Sequence, residues 1–299
     1  MSVSNQAIND DPYPQAVAYD DGGQVRVHWL FEDDFVTPDE TPESLDPNDT
    51  IHCASIFGEE GIGGWAPSIS ANARQISFTS NAAIEYYGLD GYVNQILVSH
   101  FDPVNDPFGW NVIDVASVED GSGGNPGDGH SELSSISADG SRIAFESDAM
   151  NLDPDNWDQN EKKDIYVRDL DTSETTEAYS EPSPPNSMQY PVGNTWRPVI
   201  SGDGNWVIFE TESGILLGST SVIPAVVLCH LTSSGDFGYT GSPEIVTKHY
   251  QTGATLRGHW PCIGNTADAV AFYSEDAGHT SEEASNSTNM DVFVKWTHQ

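Results

Sequence analysis

The densest run of side chains able to do chemistry is an acidic loop. The segment SDAMNLDPDNWDQNEKKD begins at Ser147 and carries carboxylates at short intervals. Hard cations such as Ca2+ take several oxygen ligands from flexible loops, so this composition fits a calcium site. Trp157 stands where an EF-hand needs a ligand, and the alternative is a loop that is simply hydrated in an acid-rich chain. The candidate calcium ligands are Asp148, Asp153, Asp155, Asp158 and Asp164.

A second set of candidate residues stands just before the strand patterns of the chain. Trp, Tyr and Arg dominate the hot spots of protein interfaces. If the strands that follow radiate from one axis, their starts lie at one mouth of a central channel. These residues would then form a ring that binds a protein loop or a sugar. The alternative is that the rings wedge between neighbouring sheets and meet no ligand. The candidate ring residues are Tyr13, Trp65, Trp196, Arg197 and Trp260.

Hydrolytic and zinc chemistry find little support in the sequence. No G-x-S-x-G motif occurs, and His130, Ser131 and Glu132 are adjacent in sequence, which is not how a catalytic triad is assembled. The pairs His52–Cys53 and Cys229–His230 each lie within a strand pattern. Neighbouring residues of a strand point to opposite faces, so each pair offers at most one ligand to a common zinc ion.

A glycosidase-like enzyme is the remaining catalytic alternative. Such enzymes need a pair of carboxylates around the scissile bond. The segment around Asp11, just before the first strand pattern, resembles the first strand region of sugar hydrolases with a five-bladed propeller fold. No second carboxylate stands out among the 47 acidic residues. We therefore expect a protein that is not an enzyme.

The elements that must position these residues are copies of one hairpin. SISADGSRIAFES has near-equivalents at PSISANARQISFTS, PVISGDGNWVIFET and PCIGNTADAVAFYS, and YPQAVAYDDGGQVRVHW is a more divergent copy. Each copy is followed by a third apolar strand, such as DIYVRDL or DVFVKW, and in most cases by a fourth. Four antiparallel strands per unit describe a propeller blade. An aromatic anchor follows the start of each regular copy by eleven positions, in the pairs Pro67–Phe78, Ser134–Phe145, Pro198–Phe209 and Pro261–Phe272.

The motif P-x-[IV]-S-x-[DN]-[GA]-x-x-[IV]-[AS]-F-x-[ST], with a later D-[IV]-[FY]-V, resembles the TolB-type (WD-repeat-like) β-propeller family. The resemblance extends from about Tyr13 to Trp296 and is strongest in the third unit. It implies an all-β, five-bladed propeller in one domain. It does not fix a function, because one fold hosts many functions.

The strand patterns set expected blade boundaries. The last unit stops at Gln299 after its third strand, so we expect the N-terminal segment to supply its missing outer strand and to close the ring. The expected blades comprise residues 13–62, 63–118, 131–180, 195–248, and 257–299 together with 2–9.

Charge limits the partners. Ten Lys plus Arg oppose 47 Asp plus Glu, for a net charge of −37, so nucleic-acid backbones and anionic membranes are disfavoured. Such a surface repels itself in dilute buffer, and this repulsion is largely screened at about 1 M salt. We therefore expect adaptation to high salt.

Segment composition bears on location. The N-terminus lacks a basic region followed by an apolar one, and no window has the apolar length of a membrane span. We expect no signal peptide and no membrane insertion, and a location in the cytoplasm of a halophile or in a virion. Cys53, Cys229 and Cys262 lie in strand patterns and are expected to be buried, inert thiols.

The function expected from the sequence is protein binding or assembly without catalysis. The partner would be another protein or a second copy. A capsid or tail decoration subunit of a halophile virus would suit a rigid, highly soluble repeat protein. A soluble ligand-binding or carbohydrate-binding propeller is the first alternative, and the glycosidase-like enzyme is the second. No cofactor is required by the motifs, with Ca2+ as the one candidate.

Overall fold

A computed structural model of the 299-residue chain provides the structure. It describes residues 2–3, 15–20, 25–30, 50–52, 63–84, 87–100, 112–121, 123–153, 162–179, 193–219, 223–231, 243–276, 278–280 and 290–297.

The described strands form four four-stranded sheets, one three-stranded sheet and a two-stranded ribbon. All pairings are antiparallel. The first sheet comprises β1 (Ser2–Val3), β2 (Gln15–Asp20), β3 (Val25–Leu30) and β4 (Thr50–His52). The second comprises β5 (Trp65–Ile69), β6 (Gln75–Ser80), β9 (Gln95–His100) and β10 (Val112–Val115), with β7 (Ala83–Ile84) and β8 (Leu89–Asp90) as the ribbon between.

The remaining sheets repeat this plan. The third comprises β11 (Ser131–Ile136), β12 (Arg142–Ser147), β13 (Asp164–Asp169) and β14 (Glu174–Glu177). The fourth comprises β15 (Thr195–Ile200), β16 (Trp206–Thr211), β17 (Ala225–His230) and β18 (Glu244–Ile245), with the short helix α1 (Gly214–Leu217) after β16. The fifth has three strands, β19 (His259–Ile263), β20 (Ala269–Ser274) and β21 (Asp291–Trp296).

Successive sheets pack face to face in a propeller-like series. The innermost strand of each later sheet contacts the first three strands of the sheet before it: β5 contacts β1–β3, β11 contacts β5, β6 and β9, β15 contacts β11–β13, and β19 contacts β15–β17. The serial arrangement explains the repetition, because a single sheet cannot bury both of its faces and each sheet covers its neighbour.

The aromatic anchors of the repeat lie in the cores between sheets. Phe145 packs against Ile96 and Val98 of the preceding sheet, and Phe209 packs against Ile165 and Val167. We call the face of a sheet that packs on the next sheet its forward face. The forward faces of the second, third and fourth sheets each bear two aliphatic side chains of the third strand, which meet the Phe of the following sheet.

The S-x-[DN] part of the repeat has a structural role. In the third sheet Asp139 accepts hydrogen bonds from the Ser137 hydroxyl at 2.7 Å and from the Ser141 backbone N–H at 3.0 Å. Gly140 follows with φ 82°, a conformation that favours glycine. Aspartate and serine thus close the turn with their own side chains, as in an Asx turn. Ala138 also donates its N–H to the Gly202 carbonyl of the next sheet at 2.9 Å, so the turns join neighbouring sheets.

The first sheet differs from the expectation. Ser2 pairs with Ala18 and Val3 with Val17, so β1 is the innermost strand of the first sheet and β2 is its second strand. The expectation that the N-terminal segment closes the fifth sheet is wrong. Pairing with the nearby β2 closes a short connection, whereas pairing with β21 would join segments at opposite ends of the chain and cost more loop entropy.

Candidate functional site

In the second to fifth sheets, the start of the innermost strand has the same unusual backbone. Each contains a register shift of the ladder, and within it a non-glycine residue has positive φ. Such residues seldom adopt this conformation, so its recurrence requires contacts that hold it. The four residues are Ala66 (φ 51°), Leu133 (φ 52°), Arg197 (φ 54°) and Trp260 (φ 49°).

A side chain of the preceding sheet holds this backbone in three cases. In each, a side-chain oxygen accepts a hydrogen bond from the backbone N–H of the positive-φ residue. The residue that supplies this oxygen directly follows the buried Phe anchor in the second strand of its sheet. The hydrogen bond links two sheets and satisfies a donor that the irregular ladder would leave unpaired. The three pairs are Leu133 N to Thr79 Oγ1 at 3.3 Å, Arg197 N to Glu146 Oε2 at 2.9 Å, and Trp260 N to Glu210 Oε1 at 2.8 Å.

Glu210 is the centre of the largest of these clusters. Its carboxylate is fully buried and accepts hydrogen bonds from Trp196 Nε1 at 3.0 Å and from Arg197 Nη1 at 3.1 and 3.2 Å. His259 Nδ1 lies 3.0 Å from Oε2, and the Trp260 N–H occupies the other oxygen. These donors come from the fourth and fifth sheets, so one buried side chain links the two.

Arg197 and Trp260 form an exposed pair above this carboxylate. The guanidinium carbon of Arg197 lies 4.0 Å from the centroid of the Trp260 ring, within the range of a cation–π interaction. Trp260 is 59% exposed, although its backbone is fixed by Glu210. The result is a rigid, accessible tryptophan at the boundary of the fourth and fifth sheets.

The structure brings together three of the five residues predicted for the ring. Trp196, Arg197 and Trp260 meet around Glu210, which sequence reasoning missed. The sequence did contain a signal for Glu210, because Glu follows the Phe anchor in both AFES and IFET. Trp65 occupies the corresponding place in β5, opposite Thr79, and is partly exposed. Tyr13 lies outside the described residues.

The third sheet contains a related cluster of charges. Lys163 Nζ donates to Glu146 at 2.6 Å and to Glu132 at 2.9 Å, and Asn94 Nδ2 donates to Glu132 at 2.6 Å. Partial burial acts to raise the pKa of Glu132, but Lys163 and Asn94 outweigh it, so that pKa lies below its usual value. The two carboxylates also accept hydrogen bonds from neighbouring sheets, Glu132 from Asn94 and Glu146 from the Arg197 N–H.

The comparisons with known proteins concern the fold. No protein-family model matches the chain, and no curated protein does. Among solved structures, a putative TolB from Agrobacterium tumefaciens is 13% identical, with 94% of this chain and 73% of that chain covered and a TM-score of 0.49. TolB from Acinetobacter baumannii is 12% identical, with 94% of this chain and 49% of that one covered and a TM-score of 0.46. The β-propeller domain of the Trilobed protease from Pyrococcus furiosus is 10% identical, with 100% and 70% covered and a TM-score of 0.42.

The fold is an all-β, propeller-like series of antiparallel sheets. The sheet order and the serial packing described above carry this conclusion, and the repeat motif predicted it. The function must be argued from the surfaces of this propeller.

The fifth sheet of the propeller has an open forward face. Val292 is 76% exposed and Val294 is 61% exposed, and Trp296 on the same strand is also exposed. In every regular sheet before it, the two equivalent side chains are buried against the next sheet. These equivalents are Ile96 and Val98, Ile165 and Val167, and Val226 and Leu228.

The predicted calcium loop is described only at its ends. The Asp148 carboxylate accepts the backbone N–H of His130, and Asp164 is buried at the start of β13 opposite Ser147. Asp153 is described, whereas Asp155 and Asp158 lie outside the described residues. The part of the propeller that is described contains no group of three or more side chains able to hold a metal ion. A calcium site formed by the whole loop stays a prediction.

The cysteines divide between two environments. Cys229 is buried in β17, and this burial raises its pKa, so its thiol is inert as expected. Cys262 is exposed, and the expectation that it is buried is wrong. It pairs with Ala271 in the fifth sheet, whose forward face is also exposed at Val292 and Val294 in the described part of the chain. Cys53 lies outside the described residues.

Within the described ranges the propeller has no helix long and apolar enough to cross a membrane.

Proposed function

We propose that this chain is a non-catalytic β-propeller that binds another protein, or a second copy of itself, through the open face of its fifth sheet. The observation that carries the proposal is the exposure of Val292 and Val294 at positions where every regular sheet before the fifth buries its side chains. A face built for sheet packing but left uncovered is an apolar contact surface.

The distribution of exposed apolar side chains supports this surface. Soluble monomers rarely expose contiguous apolar patches, and those that occur mark interaction sites. Nine large apolar side chains are well exposed in the described part of the chain, and five of them lie between residues 259 and 297. These five are Trp260, Met290, Val292, Val294 and Trp296.

The charge of the remaining surface favours association at high salt. A net charge of −37 opposes contact between two copies in dilute buffer, and screening at about 1 M salt removes most of that repulsion. Apolar contact is then unopposed. Adaptation to salt, location in a halophile cytoplasm and a role as a virion decoration subunit stay predictions.

We propose that the chain has no catalytic activity because its clustered carboxylates serve to join sheets. Glu132, Glu146 and Glu210, which gather near the starts of the inner strands, each accept hydrogen bonds from neighbouring sheets. A general acid or base must instead lie within hydrogen-bond reach of a substrate. Sugar stacking at Trp260 is less favoured than protein contact, because Arg197 already lies over its ring.

The test compares two surface variants in an extract of the producing cells at molar salt. The double variant Val292→Glu, Val294→Glu alters the open face, and the double variant Tyr92→Glu, Met150→Glu alters exposed apolar residues elsewhere. We expect the wild type and the Tyr92, Met150 variant to retain the same protein, or to self-associate equally in sedimentation velocity. We expect the Val292→Glu, Val294→Glu variant to lose both the bound protein and the self-association. Equal behaviour of all three proteins would refute the proposal.

A further inference from the structure

Among the described residues, the fifth sheet has no outer strand of the kind that the other four sheets possess. β4, β10, β14 and β18 complete the first four sheets, whereas the fifth sheet ends at β21 among the described residues. The third strand of a regular sheet is thus an interior strand, whereas β21 is an edge strand in the part of the chain that the structure describes. An edge strand offers its outer row of backbone N–H and C=O groups for pairing with another chain.

The repeat shows which backbone groups of β21 face this edge. The carbonyl of the second residue in the third strand accepts an N–H from the outer segment in three sheets. Val292 has this position in β21, and Val294, two residues further on, faces the same edge. The three hydrogen bonds are Ala116 N to Ile96 O at 2.8 Å, Ala178 N to Ile165 O at 2.7 Å, and Val246 N to Val226 O at 2.8 Å.

A groove of about 620 Å3 opens beside β21. Phe272 and Phe293 contribute apolar walls, and Val246 lines it from the neighbouring sheet. In regular sheets, outer-strand residues of the same sheet fill the corresponding place, for example Val115 in the core that contains Phe78 and the partly buried Ile245 beside the core that contains Phe209. The groove therefore has the shape left by an absent strand with apolar side chains on one face.

The charge of the groove differs from that of the chain. No carboxylate is among the described residues that line it, although 47 of the 299 residues are acidic. Lys248 and Lys295, two of the four lysines, line it. Lys295 Nζ lies 3.3 Å from the Val246 carbonyl and 3.5 Å from Glu244 at the sheet boundary. The described lining of this groove is therefore basic, with Glu244 pairing with Lys295 at its margin, on a strongly acidic protein.

We infer that the free edge of β21 and its groove bind an extended acidic segment of a partner protein as a fourth strand of the fifth sheet. Backbone pairing with Val292 and Val294 supplies affinity, and the groove selects an apolar side chain on one face of the segment. Lys248 and Lys295 select acidic residues beside it. The inference rests on the proposed function, because the segment completes the sheet whose forward face binds protein.

The probe is the synthetic peptide TSETTEAYS, the sequence of residues 172–180. This segment contains β14, the acidic outer strand of the third sheet, so it already pairs with a third strand of this fold. Fluorescence anisotropy of the labelled peptide, at the lowest salt in which the protein is folded, measures binding. We expect saturable binding, and several-fold weaker binding of the neutral analogue TSQTTQAYS. Equal affinity of the two peptides, or binding of neither, would overturn the inference.

Two matched pairs of variants locate the peptide. Lys248→Glu weakens binding of TSETTEAYS, and Lys162→Glu, which changes a lysine outside the groove, leaves it unchanged. Val294→Pro removes one outward N–H of an edge strand and abolishes binding, whereas Val294→Thr retains it. If the proline variant does not fold, the lysine pair decides. Equal binding within the lysine pair, or within a folded Val294 pair, refutes the site.

The outcomes separate this inference from the proposed function. If Val292→Glu, Val294→Glu loses its protein partner but the wild type does not bind the peptide, the proposed function stands and the strand site is rejected. If the peptide binds as expected but the open-face variants retain their partner, the strand site stands alone. A third outcome is that the protein without peptide self-associates, which sedimentation velocity would detect. If Val294→Pro abolishes that self-association, the edge binds a second copy, and the claim of a different partner is overturned.

Discussion

Glu210 accepts the backbone N–H of Trp260 at 2.8 Å across the boundary between the fourth and fifth sheets. The same buried carboxylate binds Trp196, Arg197 and His259, so one side chain joins the two sheets. Removal of one partner from a buried charged cluster leaves the others unpaired, so we expect Glu210→Ala to lower the free energy of unfolding by about 3 kcal/mol. Urea unfolding in molar salt measures the change.

The exposed Glu244 supplies the control for that experiment. It lies at the start of β18 with its side chain half exposed. Glu244→Ala is expected to change stability by less than about 0.5 kcal/mol. A loss at Glu210 no larger than the loss at Glu244 would show that the carboxylate does not hold the sheets together.

Val226 and Val292 occupy the same repeat position, one buried and one exposed. Truncation of a buried valine removes apolar contacts and leaves a cavity, so Val226→Ala is expected to cost about 2 kcal/mol. Val292→Ala is expected to cost less than about 0.5 kcal/mol, because its side chain touches solvent. Thermal and urea unfolding of the two variants give the comparison. Equal costs would mean that another surface covers the fifth sheet.

Acid is expected to weaken the third sheet through Asp169. Burial acts to raise the pKa of this carboxyl, but hydrogen bonds from Thr172 and Arg142 outweigh it, so the pKa lies below its usual value. A lowered folded pKa stabilises the protein above the unfolded value of about 3.9, and the contribution is lost as pH falls through the folded pKa. Asp169→Asn is therefore expected to be about 1 kcal/mol less stable at pH 7 and equal to the wild type near pH 2.

Urea unfolding of wild type and Asp169→Asn between pH 7 and pH 2 checks this dependence. Asp171→Asn is the control, because the Asp171 carboxylate lies in the same turn. The backbone N–H of residue 171, which donates to Asp169, is unchanged by this substitution. A difference between wild type and Asp169→Asn that persists at pH 2 would contradict the assigned cause.

Alkylation is expected to distinguish two cysteines. Iodoacetamide reacts with accessible thiolate, so Cys262 is expected to be modified in the folded protein, while buried Cys229 is protected by its burial and raised pKa. Mass spectrometry of the peptides that contain each residue measures the rates, with unfolded protein as the reference. Comparable rates in the folded state would contradict the exposed forward face.

Salt is expected to raise stability. Between 0.1 M and 1 M KCl the screening length falls from about 10 Å to about 3 Å, so repulsion among the 47 acidic side chains weakens. The urea midpoint should rise over this range and change less above it, because screening is then nearly complete. A midpoint that is flat or falls between 0.1 M and 1 M would argue against salt adaptation.

The repeat was readable in the sequence because its features are local. Phe145 and Phe209 follow their strand starts at a fixed spacing, and each lies in a core between sheets. Asp139 and Gly140 predicted a turn whose hydrogen bonds are made by neighbouring residues. Strand alternation and turn chemistry depend on positions a few residues apart, so a pattern of letters contains them.

The candidate site was only partly readable. The positions of Trp196, Arg197 and Trp260 beside inner strands followed from the repeat, and the structure brings all three together. Glu210 was not singled out, because its importance comes from donors in two different sheets. A short sequence motif contains no information about contacts between residues 50 positions apart, such as Glu210 and Trp260.

The sequence by itself therefore determined the repeated strands, their turns and the propeller fold, since these follow from periodicity and local hydrogen bonding. Only the tertiary structure decided that β1 pairs with β2, that Glu210 links Arg197 to Trp260, and that Cys262 and Val292 lie on an uncovered face. The physical reason is that burial and pairing at a sheet boundary depend on which other sheet arrives there. That choice is a property of the assembled chain and not of any one repeat.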